Sequence, residues 1–246
     1  IKALLAAYGI PQTLLTIREF GGPDNADLGL IPRAEWEKHT YYLNFHGSYP
    51  LPTTPQYVRV PWEQVNNAGG NWKYPETITF RWKMEPNDLY SYTLDPHQTL
   101  LQKNSGSRVD WFVTMNKNGT DVEKGTLTFY IGDGTTYKSA SFYDEYLYDD
   151  VPLNLMICRS GSNDASGSNQ IYNIFLKTAK YGKLVIEKSA SIAITGSTES
   201  LYNRAWVSNG QLYIGSGSNP QTDKILSGSV YELRYWSDNL KEESFN

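Results

Sequence analysis

The chain is poor in the residues from which most catalytic and metal centres are built. Its 246 residues include one cysteine, Cys158, and three histidines, His39, His46 and His97, none of them at metal-ligand spacing. A single cysteine forms no internal disulfide and supplies no zinc cluster. Because Cys158 ends the apolar run 153–158, we expect a small buried side chain there. The lack of cystine favours folding in a reducing cytosol.

Long apolar runs and clusters of basic residues are also missing. No stretch approaches the roughly 20 apolar residues that a membrane-spanning helix needs. The net charge is −4, and no run of Lys and Arg offers the positive surface that a phosphate backbone requires. The sequence therefore argues against a membrane and against nucleic acid as partners.

The sequence shows no carboxylate pair with the spacing of a hydrolase. Glycoside hydrolases need one carboxyl group as acid and a second as nucleophile or base. The pairs Asp144-Glu145 and Asp149-Asp150 are adjacent in sequence, so on a strand their members point to opposite faces. Gly132-Asp133-Gly134 lacks the Lys-Ser/Thr of a phosphate-binding loop. The chain is therefore predicted not to be an enzyme.

Aromatic residues are abundant, with 19 Tyr and 7 Trp, and they fall within short alternating segments. Alternation of apolar and polar residues is typical of half-buried strands. It occurs at Ile78, Phe80, Trp82 and Met84; Trp111, Val113 and Met115; Leu127, Phe129 and Ile131; Leu153, Leu155 and Ile157; and Tyr172, Ile174 and Leu176. Asn118-Gly119, Asp133-Gly134 and Asn209-Gly210 are typical of hairpin turns. The pattern predicts an all-β, two-sheet antiparallel jelly-roll sandwich.

The cleaner strand pattern divides the chain into two parts. We expect residues 1–62 to be an N-terminal extension or linker and residues 63–246 to form the sandwich. The chain begins without Met and ends in sequence typical of ordered structure. It is therefore expected to be a fragment of a longer protein or a processed chain.

Four segments of the C-terminal two-thirds resemble the laminin-G/concanavalin A-like family. They are 75–83, 110–116, 212–216 and the closing strand with its turn, 228–241. In the closing strand a glycine leads into an Arg-x-Trp pair, Arg234 and Trp236, that is expected to be buried. The resemblance implies a jelly roll used for display, adhesion or assembly.

The segment 8–23 resembles linkers that precede such sandwiches in large virion structural proteins of tailed bacteriophages. This resemblance implies a non-enzymatic structural, assembly or decoration module of a virion, made in the cytoplasm of the bacterial host. Its partners would be other virion proteins or copies of itself.

An alternative function is carbohydrate binding for attachment to a host or another surface. Lectin sites stack a sugar ring on an aromatic side chain and bind its hydroxyl groups with carboxylates and amides. The segment 142–150 contains both residue types, and the candidate glycan ligands are Tyr143, Asp144, Tyr146, Tyr148, Asp149 and Asp150. The same tyrosines would also serve to cover a sheet edge or to pack on a neighbouring subunit.

Calcium is the one ion for which the sequence offers candidate ligands, and no other cofactor is expected. A flexible loop that presents carboxylate and backbone oxygens is sufficient for a calcium site. The candidates by residue type are Asp144, Asp149, Asp150, Asp164 and Asp223.

Overall fold

The structure is a computed structural model. It describes residues 42–45, 56–66, 72–84, 97–118, 121–149, 151–160, 169–180, 183–195, 204–217, 225–242 and 245. The segment 8–23, which resembles phage linkers, lies outside the described residues.

The described residues are almost entirely β-strand. The strands are β1 Leu43–Phe45, β2 Val58–Trp62, β3 Val65–Asn66, β4 Trp72–Lys73, β5 Thr77–Met84, β6 His97–Ser105, β7 Arg108–Lys117, β8 Lys124–Gly132, β9 Tyr137–Tyr146, β10 Leu153–Ser160, β11 Asn169–Lys180, β12 Lys183–Thr195, β13 Gly210–Ile214 and β14 Gly228–Trp236. A helical turn at 204–206 precedes β13.

The strands form two six-stranded sheets and a small hairpin. Sheet 1 has the order β1-β14-β5-β10-β11-β12, and sheet 2 has the order β2-β13-β6-β7-β8-β9. Strands β3 and β4 pair only with each other, and adjacent strands run antiparallel throughout. The predicted two-sheet antiparallel jelly roll is confirmed.

The alternating segments of the sequence supply the core between the sheets. Side chains such as Phe80, Trp111 and Phe129 are at most 1% exposed, because every second residue of a strand faces the opposite sheet. Cys158 is buried as expected, and burial raises the pKa of its thiol to about 11. The polar residues between the apolar ones face outward, so the outer surface of each sheet is set by the same pattern.

A cluster of tryptophans closes one end of the sandwich. The rings of Trp62, Trp111 and Trp206 lie 5.3–5.5 Å from one another, and all three side chains are fully buried. Two of the indole nitrogens donate to backbone oxygens: Trp62 donates to Trp206 at 2.9 Å, and Trp206 donates to Pro75 at 2.6 Å. Buried indoles of this kind stabilise by burial and also fix the path of the segment before β13.

Part of the range predicted as an extension belongs to the sandwich. Strand β1 pairs with β14, and β2 pairs with β13, so both strands complete the sheets instead of preceding them. Phe45 and Trp62 bury their side chains in the common core, which gives these strands their place. The compact unit that contains the sandwich runs from Tyr42 to Asn246.

Two of the three predicted hairpin turns join paired strands. Strands β7 and β8 flank Asn118-Gly119, and β8 and β9 flank Asp133-Gly134, where Gly134 has a φ of +95°. The Asp133 carboxylate accepts hydrogen bonds from the amides of Thr136 and Thr135, which lowers its pKa to about 2.

The hairpin predicted at Asn209-Gly210 is wrong. The residues before it form the helical turn 204–206, and β13 after it pairs with β2 and β6. The expectation of a buried Arg-x-Trp pair is also wrong, because the Arg234 side chain is 55% exposed and binds Glu232 on the outer face of sheet 1.

A buried ionic cluster lies where β6 and β7 meet. Lys103 and Asp110 are both fully buried and form an ion pair, and the Arg108 guanidinium donates to the same carboxylate at 2.6 Å. Lys103 also donates to the backbone oxygen of Ala205 at 2.8 Å and to the Ser208 hydroxyl at 2.6 Å. Burial lowers the pKa of Lys103 to about 8, the Asp110 carboxylate opposes that shift, and Arg108 adds to it.

We predict that Lys103 makes stability rise with pH from about 8 to 10.5. In that window the unfolded chain holds the lysine proton more tightly than the folded chain, so raising the pH favours folding. Urea denaturation of the wild type and of Lys103→Met across this range measures the difference. We expect the free energy of unfolding of the wild type to increase relative to that of the variant as the pH rises. A difference that stays constant over this range would contradict the lowered pKa of Lys103.

Candidate ligand-binding face

Four side chains form a row across the outer face of sheet 2. Tyr213 on β13 lies opposite Gln102 on β6, Gln102 lies opposite Phe112 on β7, and Phe112 lies opposite Tyr130 on β8. Each alternates along its strand with a core residue, so each points away from the core. We call these four residues the aromatic row. It continues to the exposed Arg59 on β2 and the exposed Ser139 on β9.

The aromatic rings of the row are held by their neighbours. The rings of Phe112 and Tyr130 stack with centroids 4.5 Å apart, and Tyr137 packs edge-on against Phe112 at 5.2 Å. The Tyr137 hydroxyl donates to the backbone oxygen of Val109 at 3.0 Å. At the other end of the row the rings of Tyr213 and Tyr57 lie 5.6 Å apart. The face therefore presents two supported aromatic groups.

The Gln102 amide lies between these aromatic groups, and a second amide, Asn104, lies beside it between Gln211 and Val109. Gln102 Nε2 donates to Asn104 Oδ1 at 3.0 Å, which fixes both side chains on the outer face of β6. Within the described part of the chain, the buried Nδ2 of Asn104 has no hydrogen-bond partner. A buried donor without an acceptor costs about 1–3 kcal/mol, and at 2% exposure Asn104 is closed to a ligand on the outer face.

Hydroxyl groups form a second row beside the aromatic one. Thr114 lies opposite Thr128, and Thr128 lies opposite Ser141, with 2.9 Å between the two hydroxyl oxygens of the latter pair. Side chains of this kind donate and accept hydrogen bonds without bringing a net charge.

The outer face of sheet 1 has a different character. It carries ion pairs between Arg234 and Glu232 and between Lys177 and Glu187. The aromatic row of sheet 2 contains no charged member and has Arg59 at one end. The outer face of sheet 2 therefore suits a neutral polar ligand better than the outer face of sheet 1 with its ion pairs.

The segment chosen from the sequence lies at the end of β9, away from the aromatic row. Tyr143 and Tyr146 are 73% and 44% exposed. Between them, Asp144 has a φ of +58°, a conformation uncommon outside glycine. The turn of the backbone at Asp144 changes which side of the strand the following residues face.

Contacts within the protein occupy the Asp144 carboxylate. Asn118 Nδ2 donates to one oxygen at 2.8 Å, and the Lys124 ammonium lies 3.3 Å from the other. The hydrogen bond with Asp144 raises the pKa of Lys124, whose ammonium also lies 5.0 Å from the centre of the Tyr146 ring. These contacts join the β7–β8 turn to the end of β9.

The later candidates of the segment 142–150 are less exposed than Tyr143 and Tyr146 wherever the structure describes them. Tyr148 is 1% exposed and packs in the core, so its ring offers no face to a sugar. Asp149 is half-buried, and Asp150 lies outside the described residues. The six candidates therefore do not form one surface, because the chain turns inward at Leu147.

Within the described ranges, no three His, Cys, Asp or Glu side chains lie close enough to share a metal ion. Asp164 and Asp223 lie outside those ranges, and calcium binding stays a prediction. The described helical residues contain no helix of the length and apolarity that crossing a membrane requires.

Sequence reasoning missed the aromatic row because it treated the polar faces of the strands as solvent surface. The signal was present, since Phe112, Tyr130 and Tyr213 stand at positions that alternate with core residues. Aromatic residues on both faces of neighbouring strands indicate that the outer face also has a role. The pairing of β13 with β6 was needed to bring Tyr213 to that face.

Comparison with known proteins finds similarity in structure but no significant similarity in sequence. No protein-family model matches the sequence, and no curated protein matches it significantly. Solved structures similar to the chain include the CBM40 of a Ruminococcus gnavus IT-sialidase bound to α2,6-sialyllactose, with 10% identity, a TM-score of 0.42, and coverage of 84% of this chain and 96% of that one. Others are the homodimeric agglutinin CG-16 from chicken liver and the CBM2 module of the evolved Dit of Lactobacillus casei BL23 phage J-1.

The agglutinin is 10% identical with a TM-score of 0.39, covering 74% of this chain and all of that one. The phage module is 10% identical with a TM-score of 0.41, covering 75% of this chain and 70% of that one. The assignment of a jelly-roll sandwich rests on the strand order of the chain itself.

We predict that two tyrosines of the sequence-derived segment differ sharply in their effect on stability. Tyr148→Ala removes a core ring and should cost about 3 kcal/mol or more of unfolding free energy. Tyr143→Ala, at an exposed position, should change it by no more than about 0.5 kcal/mol. Urea denaturation of both variants measures this. Equal losses would mean that Tyr148 is not packed as described.

Proposed function

We propose that the chain is a non-enzymatic carbohydrate-binding module and that its glycan lies along the aromatic row of sheet 2. The observation that carries this proposal is the placement of the Gln102 amide between the Tyr213 and Phe112 rings, with Asn104 bonded to it. It supports the carbohydrate-binding function that the sequence left open as the alternative.

Sugar rings combine an apolar face with a rim of hydroxyl groups. An aromatic side chain offers apolar area to the first, and fixed amides offer donors and acceptors to the second. Binding sites of this type hold a few placed polar groups among apolar side chains. The half-buried Gln102 presents its amide to such a rim, and the buried Asn104 holds Gln102 in place through their hydrogen bond.

The length of the row supports an oligosaccharide as ligand. From Arg59 to Ser139 the row crosses six strands, or about 24 Å at the usual spacing of strands in a sheet. A glycan aligned across the strands would meet Tyr213 first, then Gln102, and then the Phe112–Tyr130 pair. The absence of charge within the row favours a neutral chain.

We predict that Tyr213→Ala weakens glycan binding at least about tenfold, or ~1.4 kcal/mol, because it removes one stacking surface. Phe112→Ala should have a similar effect and should also release Tyr130 and Tyr137 from their packing. Isothermal titration with the neutral oligosaccharide that gives the strongest glycan-array signal measures both affinities.

The control is Tyr231→Ala on sheet 1. The rings of Tyr231 and Tyr42 lie 5.7 Å apart, and those of Tyr213 and Tyr57 lie 5.6 Å apart. Tyr231→Ala and Tyr213→Ala therefore each remove one ring of a similar tyrosine pair, on different sheets. Tyr231→Ala should leave the affinity unchanged. An equal loss in both variants, or no loss with Tyr213→Ala, would argue against the row as the site. Incubation with the same oligosaccharide should yield no cleavage products.

One observation also favours the assembly role in a phage virion that the sequence predicts. Strand β12 is an edge of sheet 1, and its residues Leu184 and Val185 are 46% and 54% exposed. An exposed apolar edge strand is a template for pairing with another chain. Such pairing between copies would suit a decoration module and is compatible with glycan binding on sheet 2.

The assembly role predicts self-association through β12. Light scattering of the wild type should give the mass of a dimer or larger assembly, and Val185→Lys should shift it to the monomer. Ser191→Lys, at an exposed position further along the same strand, is the control for added charge. A monomeric wild type would contradict assembly through this edge.

A further inference from the structure

A pocket lies at the end of the sandwich, apart from the aromatic row. Its volume is about 210 Å³, and it is lined by Gln64, Trp72, Lys73, Tyr74, Glu76, Arg159 and Val207. These residues come from the β3–β4 hairpin, the start of β5, the end of β10 and the segment before β13. The pocket is smaller than the ~300–1,000 Å³ of sites for drug-sized ligands, so it fits one ring.

An ion pair forms the buried part of this pocket. Arg159 Nε donates to one Glu76 oxygen at 2.9 Å, and its terminal nitrogen donates to the other at 2.8 Å. The two residues are 1% and 7% exposed. Backbone bonds hold the same position. The Arg159 amide donates to the Glu76 backbone carbonyl at 2.8 Å, and the Glu76 amide donates to the Trp236 backbone carbonyl at 2.8 Å. The carboxylate is therefore fixed before any ligand arrives.

An exposed indole forms the open side of the pocket. Trp72 is 63% exposed on the two-residue strand β4, whereas Trp62, Trp82, Trp111 and Trp206 are fully buried. Next to it, the Tyr74 hydroxyl donates to Asn209 Oδ1 at 2.8 Å, which ties the hairpin to the start of β13. Trp72 makes little contribution to the core, so its ring is available to a ligand.

We propose that this pocket binds a single pyranose ring, stacked on Trp72, as a second sugar site of the chain. The choice of a sugar rests on the proposed function, while the site itself rests on the pocket. Each Glu76 oxygen accepts one bond from Arg159 and retains capacity for a second, charge-assisted bond from a sugar hydroxyl. Gln64 and Lys73 also line the pocket and carry further hydrogen-bond donors.

The two sites would recognise different parts of a glycan. The pocket accepts one ring, which suits the end of a glycan or a branch, and the aromatic row accepts a chain. Two weak sites on one module raise the overall affinity when a single glycan, or two glycans on one surface, reach both.

The indole N–H resonances of the folded chain test the proposal. Trp72 is assigned from the peak that is absent in Trp72→Phe, and the chain is titrated with the methyl glycosides of glucose, galactose, mannose and N-acetylglucosamine. We expect one of them to shift the Trp72 peak in the wild type and in Tyr213→Ala. Trp72→Ala and Trp72→Phe lack that peak, so their affinity for the same glycoside is measured by isothermal titration. Trp72→Ala should weaken binding at least about tenfold, and Trp72→Phe, which keeps a stacking ring, should retain most of the affinity.

The outcomes separate the two sites. If sugars bind and Tyr213→Ala abolishes binding while Trp72→Ala does not, the pocket proposal is overturned and the proposed function stands. If Trp72→Ala alone abolishes binding, the pocket is supported and the aromatic row is not the site. If the Trp72 peak does not move with any of the glycosides, the pocket proposal fails whatever an oligosaccharide does at sheet 2.

Discussion

The antiparallel register of sheet 2 is the constraint on which the candidate site depends. A strand has a side-chain period of two, so a slip by one residue would exchange its inner and outer faces. Strand β7 satisfies this constraint by placing Trp111 and Val113 in the core and Phe112 between them on the outside. The pairings with β6 and β8 then place Gln102 and Tyr130 on either side of Phe112 on the outer face.

The pairing of β6 with β7 departs from a regular register near the end of the sandwich. The pairing of β6 with β7 shifts between Lys103 and Asn104, and the ionic cluster of Lys103 and Asp110 lies at that shift. The shift leaves Asp110 without a partner strand residue, and its carboxylate pairs with the inward-facing Lys103. On the other side of β6, Gln102 bonds to the buried Asn104. The same end of the molecule holds the tryptophan cluster and the pocket beside Trp72. Burial, charge pairing and the pocket are thus grouped at one end, while the aromatic row crosses the outer face of sheet 2.

The core was accessible from sequence because it depends on local patterns. Alternation at segments such as Trp111 to Met115 identifies a strand and its inner face without knowledge of its partner. The outer surface was not accessible in this way, since Tyr213, Gln102 and Phe112 are brought together only by pairings between strands distant in sequence. Tyr148 failed as a candidate for a related reason. Its neighbours Tyr143 and Tyr146 are exposed, but the chain enters the core at Leu147 and buries the Tyr148 ring.

The central claim is that the folded chain binds a glycan through a neutral face built of rings and amides. The most direct measurement is a glycan-array screen of the folded protein, run with and without a calcium chelator. The account predicts a specific signal from neutral oligosaccharides that persists on chelation, because the aromatic row uses no metal ligand. A blank array with protein shown to be folded would contradict carbohydrate binding. A signal lost on chelation would instead move the site to the aspartate-bearing loops.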